Sequence, residues 1–111
     1  MITSSRHVLE ERKDRVDFIK RKVGFGQVIK EVYTSKGNQL GNRTWKQLTD
    51  TGVVLILSEE RDTLITVFLC DMNMLQNTFY HGNSKKIPSY LRKKVQSNQI
   101  QWFNYVQTKG C

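Results

Sequence analysis

The sequence predicts an α+β domain, with helices packed on an antiparallel meander of three to four strands. Three observations predict it. A charged, amphipathic stretch opens the chain, two apolar β-rich runs stand close together in its middle, and a basic helix-forming stretch ends it. At 111 residues, 38% hydrophobic and 25% charged, the chain fits one globular domain, residues 1–111, with one modest core.

The first helix begins at Ser4 or Ser5, whose hydroxyl can cap an orphan amide. It runs to about Lys22 and stops at "GFG", residues 24–26. On the helical wheel Val8, Leu9, Val16, Ile19 and Val23 share an arc about 100° wide, an ordinary core-facing stripe. Arg12 falls inside that arc, whereas His7, Asp14 and Phe18 fall on the opposite face. "QVIKEVY", residues 27–33, reads as a second short helix, and "TSKGNQLGN" as a loop. The two N-terminal helices then give way to strands.

"RTWKQL" (43–48) alternates imperfectly, "VVLIL" (53–57) is apolar throughout, and "TLITVFLC" (63–70) follows after the charged turn "SEERD". Two apolar runs so joined are a hairpin signal. Their lack of alternation predicts burial on both faces and helices packed on the sheet. Trp45 is expected under the first helix. A further strand is expected within 74–80, "MLQNTFY", and a last helix from about Pro88 to Val106. In that helix Leu91, Val95, Trp102 and Val106 share one arc, and Phe103 is also assigned to the core. The expected buried set is Val16, Val54, Ile56, Ile65, Val67 and Trp102.

Charge is unevenly placed. Residues 1–30 carry eight Lys/Arg against four Asp/Glu (+4), residues 31–80 four against six (−2), and residues 81–111 six against none (+6), which sum to the net +8. An acid-free last third predicts a surface that meets phosphate. The two cysteines, Cys70 and Cys111, have no metal-type or CxxC spacing and are expected to be free thiols. The chain shows no signal-peptide pattern and no apolar run of the roughly 20 residues that span a bilayer. A cytoplasmic protein without a membrane partner is expected.

Ser5, His7, Arg12, Arg15 and the run 63–68, "TLITVF", together resemble the small phage and plasmid proteins of the RelE/barnase/colicin type of RNase fold. The resemblance covers residues 4–69 and leaves the basic C-terminal helix unaccounted for. It implies helices packed on an antiparallel sheet, and RNA binding or RNA cleavage of a toxin-like kind.

Metal-independent cleavage of RNA needs a base for the 2′-hydroxyl, cations for the phosphorane and an acid for the leaving oxygen. The candidate catalytic residues are His81 and Tyr80, together with Arg12 and His7. For Arg12 a structural ion pair with Glu59, Glu60 or Asp62, or a snorkelling side chain, stands as the alternative, and for His7 an exposed helix histidine. "TFYHGNSKK" packs Tyr80, His81, Asn83, Lys85 and Lys86 together after an expected strand, with aromatics interleaved among bases as suits unpaired nucleotides. Lys46, Lys85, Lys86, Tyr90, Arg92, Lys93 and Lys94 complete the expected nucleic-acid surface. The partner expected is nucleic acid, RNA before DNA, with no cofactor and no metal site. The second expectation is a non-enzymatic, phage-type protein that binds a host or defence complex.

Overall fold

The computed structural model describes residues 13–34 and 43–109, with side chains as far as residue 107. His7, Arg12, Val8, Leu9, the "TSKGNQLGN" stretch from residue 35 to 42 and Cys111 lie outside the described residues. Helix α1, described from residue 13, closes with a wide turn over Ile19–Val23. Gly24 ends it at φ +80°, a value that disfavours side chains, and its N–H donates to the Ile19 carbonyl at 2.7 Å. The stop expected at "GFG" is thus where the chain turns.

Four strands follow: β1 (Val28–Thr34), β2 (Thr44–Thr49), β3 (Val53–Ser58) and β4 (Leu64–Leu69). They form one antiparallel sheet in the order β1-β2-β3-β4. The central hairpin pairs Val53 with Leu69, Val54 with Phe68, Leu55 with Val67 and Ile56 with Thr66. After β4 come α2 (Met72–Met74), a wide turn over Leu75–Phe79, a 3₁₀ turn over Ser84–Lys86 and the long helix α3 (Ser89–Lys109). Among the described residues no helix is long and apolar enough to cross a membrane.

Several expectations need correction. Residues 27–33 are not a helix but belong largely to β1. Val28, Ile29, Val32, Tyr33 and Thr34 are β-branched or aromatic, and pairing with β2 satisfies their backbone. Residues 74–79 are helical, and no strand forms within 74–80. The Asp71 carboxylate accepts the Met74 N–H at 2.7 Å, capping the segment, and Leu75 and Phe79 stand one turn apart in the core. Ile65 is 51% exposed. The register shifts between Ile56 and Leu57, which pair with Thr66 and Leu64, so Ile65 is the extra residue of a bulge on an edge strand. Substituting it should therefore cost no more than a surface change.

Two buried clusters lie on opposite faces of the sheet. Leu48 and Val54 pack with Leu75, Phe79, Leu91 and Val95 from the chain after β4. Val53, Val67 and Leu69 pack with Phe18 and Ile19 of α1. Adjacent residues of β3 thus point into different clusters, and this accounts for the unbroken apolar run. Of the expected buried set, Val54 and Val67 are buried, whereas Val16, Ile56 and Trp102 are half-buried. Phe18 is buried although the wheel places it opposite the core stripe. The far end of α3 covers that side with Trp102 and Tyr105, whose ring centroids lie 5.3 and 5.2 Å from that of Phe18. Phe103 and Val106 point away from this contact and are exposed.

The β2–β3 turn ties the layers together. Gln27 and Asp50 exchange hydrogen bonds, the Thr51 hydroxyl donates to the Gly24 carbonyl at 2.8 Å, and the buried Asn98 of α3 donates to the Thr51 carbonyl at 2.8 Å. Gly52 has φ +82°, and a Cβ there would stand 2.9 Å from the Asn98 amide nitrogen. Only glycine suits both the backbone and the space.

Candidate nucleic-acid interface

The chain leaving the wide turn Leu75–Phe79 brings Tyr80 against β1. The Nζ of Lys30 lies 4.2 Å from the Tyr80 ring centroid, a cation–π contact. Burial, and then the neighbouring Tyr90, push the Tyr80 phenol above its ordinary pKa. Tyr80 therefore stays neutral at physiological pH: it can donate a proton or a hydrogen bond but does not serve as a phenolate. Tyr90, in the first turn of α3, is 55% exposed. Its ring is open to solvent, as a stacking surface must be.

His81 and Gly82 continue from Tyr80 with φ +50° and +82°. This reversal is fastened by Gly82 N–H to the Gln76 carbonyl (2.7 Å) and Asn83 N–H to the Tyr80 carbonyl (2.8 Å). His81 is exposed at its apex. Lys85 and Lys86 are exposed on the 3₁₀ turn that follows, and Lys93 is exposed on α3 with Lys94 half-exposed beside it. Arg92 has a different task. Its guanidinium reaches back to donate to the Ser84 carbonyl, and so holds the lysine-bearing turn against α3.

Lys46 shares the sheet face of Lys30. Val32 faces Lys46 and Leu48 faces Lys30 across the β1–β2 pair, so the two lysines are diagonal neighbours. Lys30 itself was not among the expected site residues, because reading 27–33 as a helix hides the alternation that puts Lys30 and Val32 on one face. Arg15 is placed elsewhere. It lines a cavity of about 250 Å³ with Phe68, Asp71 and Trp102, on the β4 side of the sheet, whereas Tyr80 lies against β1. β1 and β4 are opposite edges.

A second aromatic group was not legible in the sequence. Among the described residues Trp45 packs with Arg61 and Tyr33. The Arg61 guanidinium covers its ring at 3.7 Å and Tyr33 packs at 4.8 Å. Arg61 grips Glu31 through Nε (3.0 Å) and Nη2 (2.6 Å), and Gln47 donates to the same carboxylate at 2.6 Å. The Trp45 indole N–H donates to the Glu59 carbonyl (3.0 Å), and the Tyr33 hydroxyl donates to the Glu59 carboxylate (2.8 Å). Acidic neighbours and an indole already covered make this a lock on the β3–β4 turn, not a phosphate site. The Arg61 and Gln47 hydrogen bonds hold the Glu31 carboxyl below its ordinary pKa. A depressed carboxylate contributes stability above its unfolded pKa and loses it as pH falls through the folded one. The melting-temperature difference between the parent and Glu31→Gln should thus be present at neutral pH. It should shrink as pH drops below the ordinary glutamate range, and a difference constant down to strong acid would contradict the lock.

Cys70 offers no nucleophile. Burial, with Asp71 adding to it, pushes the thiol up to about 12, so it remains protonated. The chain matches no family model, no curated protein and no solved structure.

Proposed function

We propose that this protein binds single-stranded nucleic acid, RNA in preference to DNA, on the surface built by Lys30, Tyr80, Tyr90 and the lysines at positions 85, 86, 93 and 94. One observation carries the reading: Tyr80 stands beside both Lys30 of β1 and Tyr90 of α3, and the turn and helix segments next to these tyrosines in the chain carry the exposed Lys85, Lys86 and Lys93 and no acidic residue. Lysines supply charge for the phosphates, and an exposed ring supplies a face on which any base can stack. Three of the ten acidic residues, Glu59, Glu60 and Asp62, sit in the β3–β4 turn.

The finer reading is metal-independent cleavage, with exposed His81 as base and the neutral Tyr80 phenol as proton donor. The resemblance of residues 4–69 to RelE/barnase-type RNases, read from the sequence alone, motivates it. Purified protein incubated with RNA in EDTA should give cyclic-phosphate ends. Intact RNA with retained binding would assign the loop to binding alone.

Tyrosine replacements separate stacking from charge. Tyr90→Ala should weaken binding of a short single-stranded RNA by about 1–3 kcal/mol while leaving the salt dependence nearly unchanged. Fluorescence anisotropy across a salt series reads both quantities. An unchanged affinity would remove Tyr90 from the interface.

A further inference from the structure

We propose that Lys30 and Lys46 form a subsite for a terminal phosphate monoester, so that the protein takes hold of RNA by a phosphorylated end. This deepens the RNA-binding reading and rests on it. The strand register puts the two lysines on one face of the sheet. Lys30 pairs with Leu48 and Val32 pairs with Lys46, so the lysines are diagonal neighbours, which stand about 7–8 Å apart. Both are half-buried. Their face carries no counter-charge. The residues in register with them across the other strands are apolar, apart from Thr66. Glu31, next to Lys30 in the chain, points to the opposite face, where Arg61 and Gln47 hold it. Neither lysine makes an ion pair with a described carboxylate. Two like charges side by side on a strand pair repel, and an anion between them removes the repulsion.

The charge count selects a terminal phosphate. An internal phosphodiester brings one negative charge. A phosphate monoester brings about −1.5 to −2 at neutral pH, with three acceptor oxygens. It can therefore meet both ammonium groups at once, since lysine stems are long and flexible enough to converge. The tyrosines place the nucleotide that follows. The Lys30 Nζ lies over the Tyr80 ring, 4.2 Å from its centroid, so that face of the ring holds the ammonium and not a base. Tyr90, beside Tyr80, has an exposed ring and offers the terminal base a face to stack on. Lys85, Lys86, Lys93 and Lys94 are left for the internal phosphates.

The test uses one short single-stranded RNA with an internal fluorophore, made with a 5′-phosphate, a 3′-phosphate or hydroxyls at both ends. In fluorescence anisotropy a phosphorylated form should bind about tenfold or more tighter than the hydroxyl form, as an added charge-assisted contact predicts. Which form does so tells which end is held. A hydroxyl-ended RNA one nucleotide longer adds charge without a monoester, and should bind nearly as the shorter one does. Lys30→Gln/Lys46→Gln should abolish the preference. Lys93→Gln/Lys94→Gln should weaken every form alike and keep it. The comparison of ends in the parent protein depends on no variant's folding. Phosphorylated forms that bind no better than the longer hydroxyl-ended RNA would overturn the subsite while RNA binding stands. A preference that survives Lys30→Gln/Lys46→Gln would overturn it as well. Absence of binding by every form would overturn both readings.

Discussion

Phe79→Ala should cost about 3–5 kcal/mol, the range for removing a large aromatic from a packed core. Phe79 is 1% exposed, and its cluster includes Leu48 and Val54 of the sheet and Leu91 and Val95 of α3. It is also the last residue before Tyr80. The cavity would therefore loosen the segment that presses Tyr80 toward Lys30 as well as the core. Against the 5–15 kcal/mol that stabilises an ordinary domain, the loss takes a large share. Chemical denaturation should show a lower midpoint at an unchanged slope. A cost below about 1 kcal/mol would mean that the chain after β4 does not close the core.

The second large effect concerns Lys85, Lys86, Lys93 and Lys94. If each neutralises one phosphate of a single strand, together they contribute a log–log salt slope of about −2.8, at about −0.7 per contact. Between about 1 M and about 0.1 M salt that slope corresponds to roughly 600-fold in affinity. Changing all four to Gln should remove most of it, and should do so nearly equally for every sequence tested. Arg92→Gln should act differently. Its guanidinium is bound to the Ser84 carbonyl, so its loss frees the turn bearing Lys85 and Lys86. An equally steep slope in the fourfold variant would show that these lysines are only a solvated face.

The sheet's central hairpin was legible because two apolar, β-rich runs flank a short charged turn, a local signal. Burial of both faces was legible for the same reason. The first strand was not, because Val28, Ile29 and Val32 fit either period, and only pairing with β2 decides. The helix after β4 was hidden in the same way. Its cue is the Asp71 cap three residues before Met74, a cue as local as the hairpin's. The lysine and tyrosine surface was readable as composition, since acids are absent beyond residue 80, but its Lys30 component required the fold. The Glu31–Trp45–Arg61 lock joins three residues far apart in sequence, and no local pattern announces it.

The most direct test of the central claim is backbone amide NMR of the protein titrated with a short single-stranded RNA at low salt. The account predicts the largest shifts along Lys30, Tyr80–Lys86 and Tyr90–Lys94, fading as salt is raised, with Trp45 and Arg61 undisturbed. Shifts centred on Tyr33, Trp45 and Arg61, or none at all under these conditions, would contradict it.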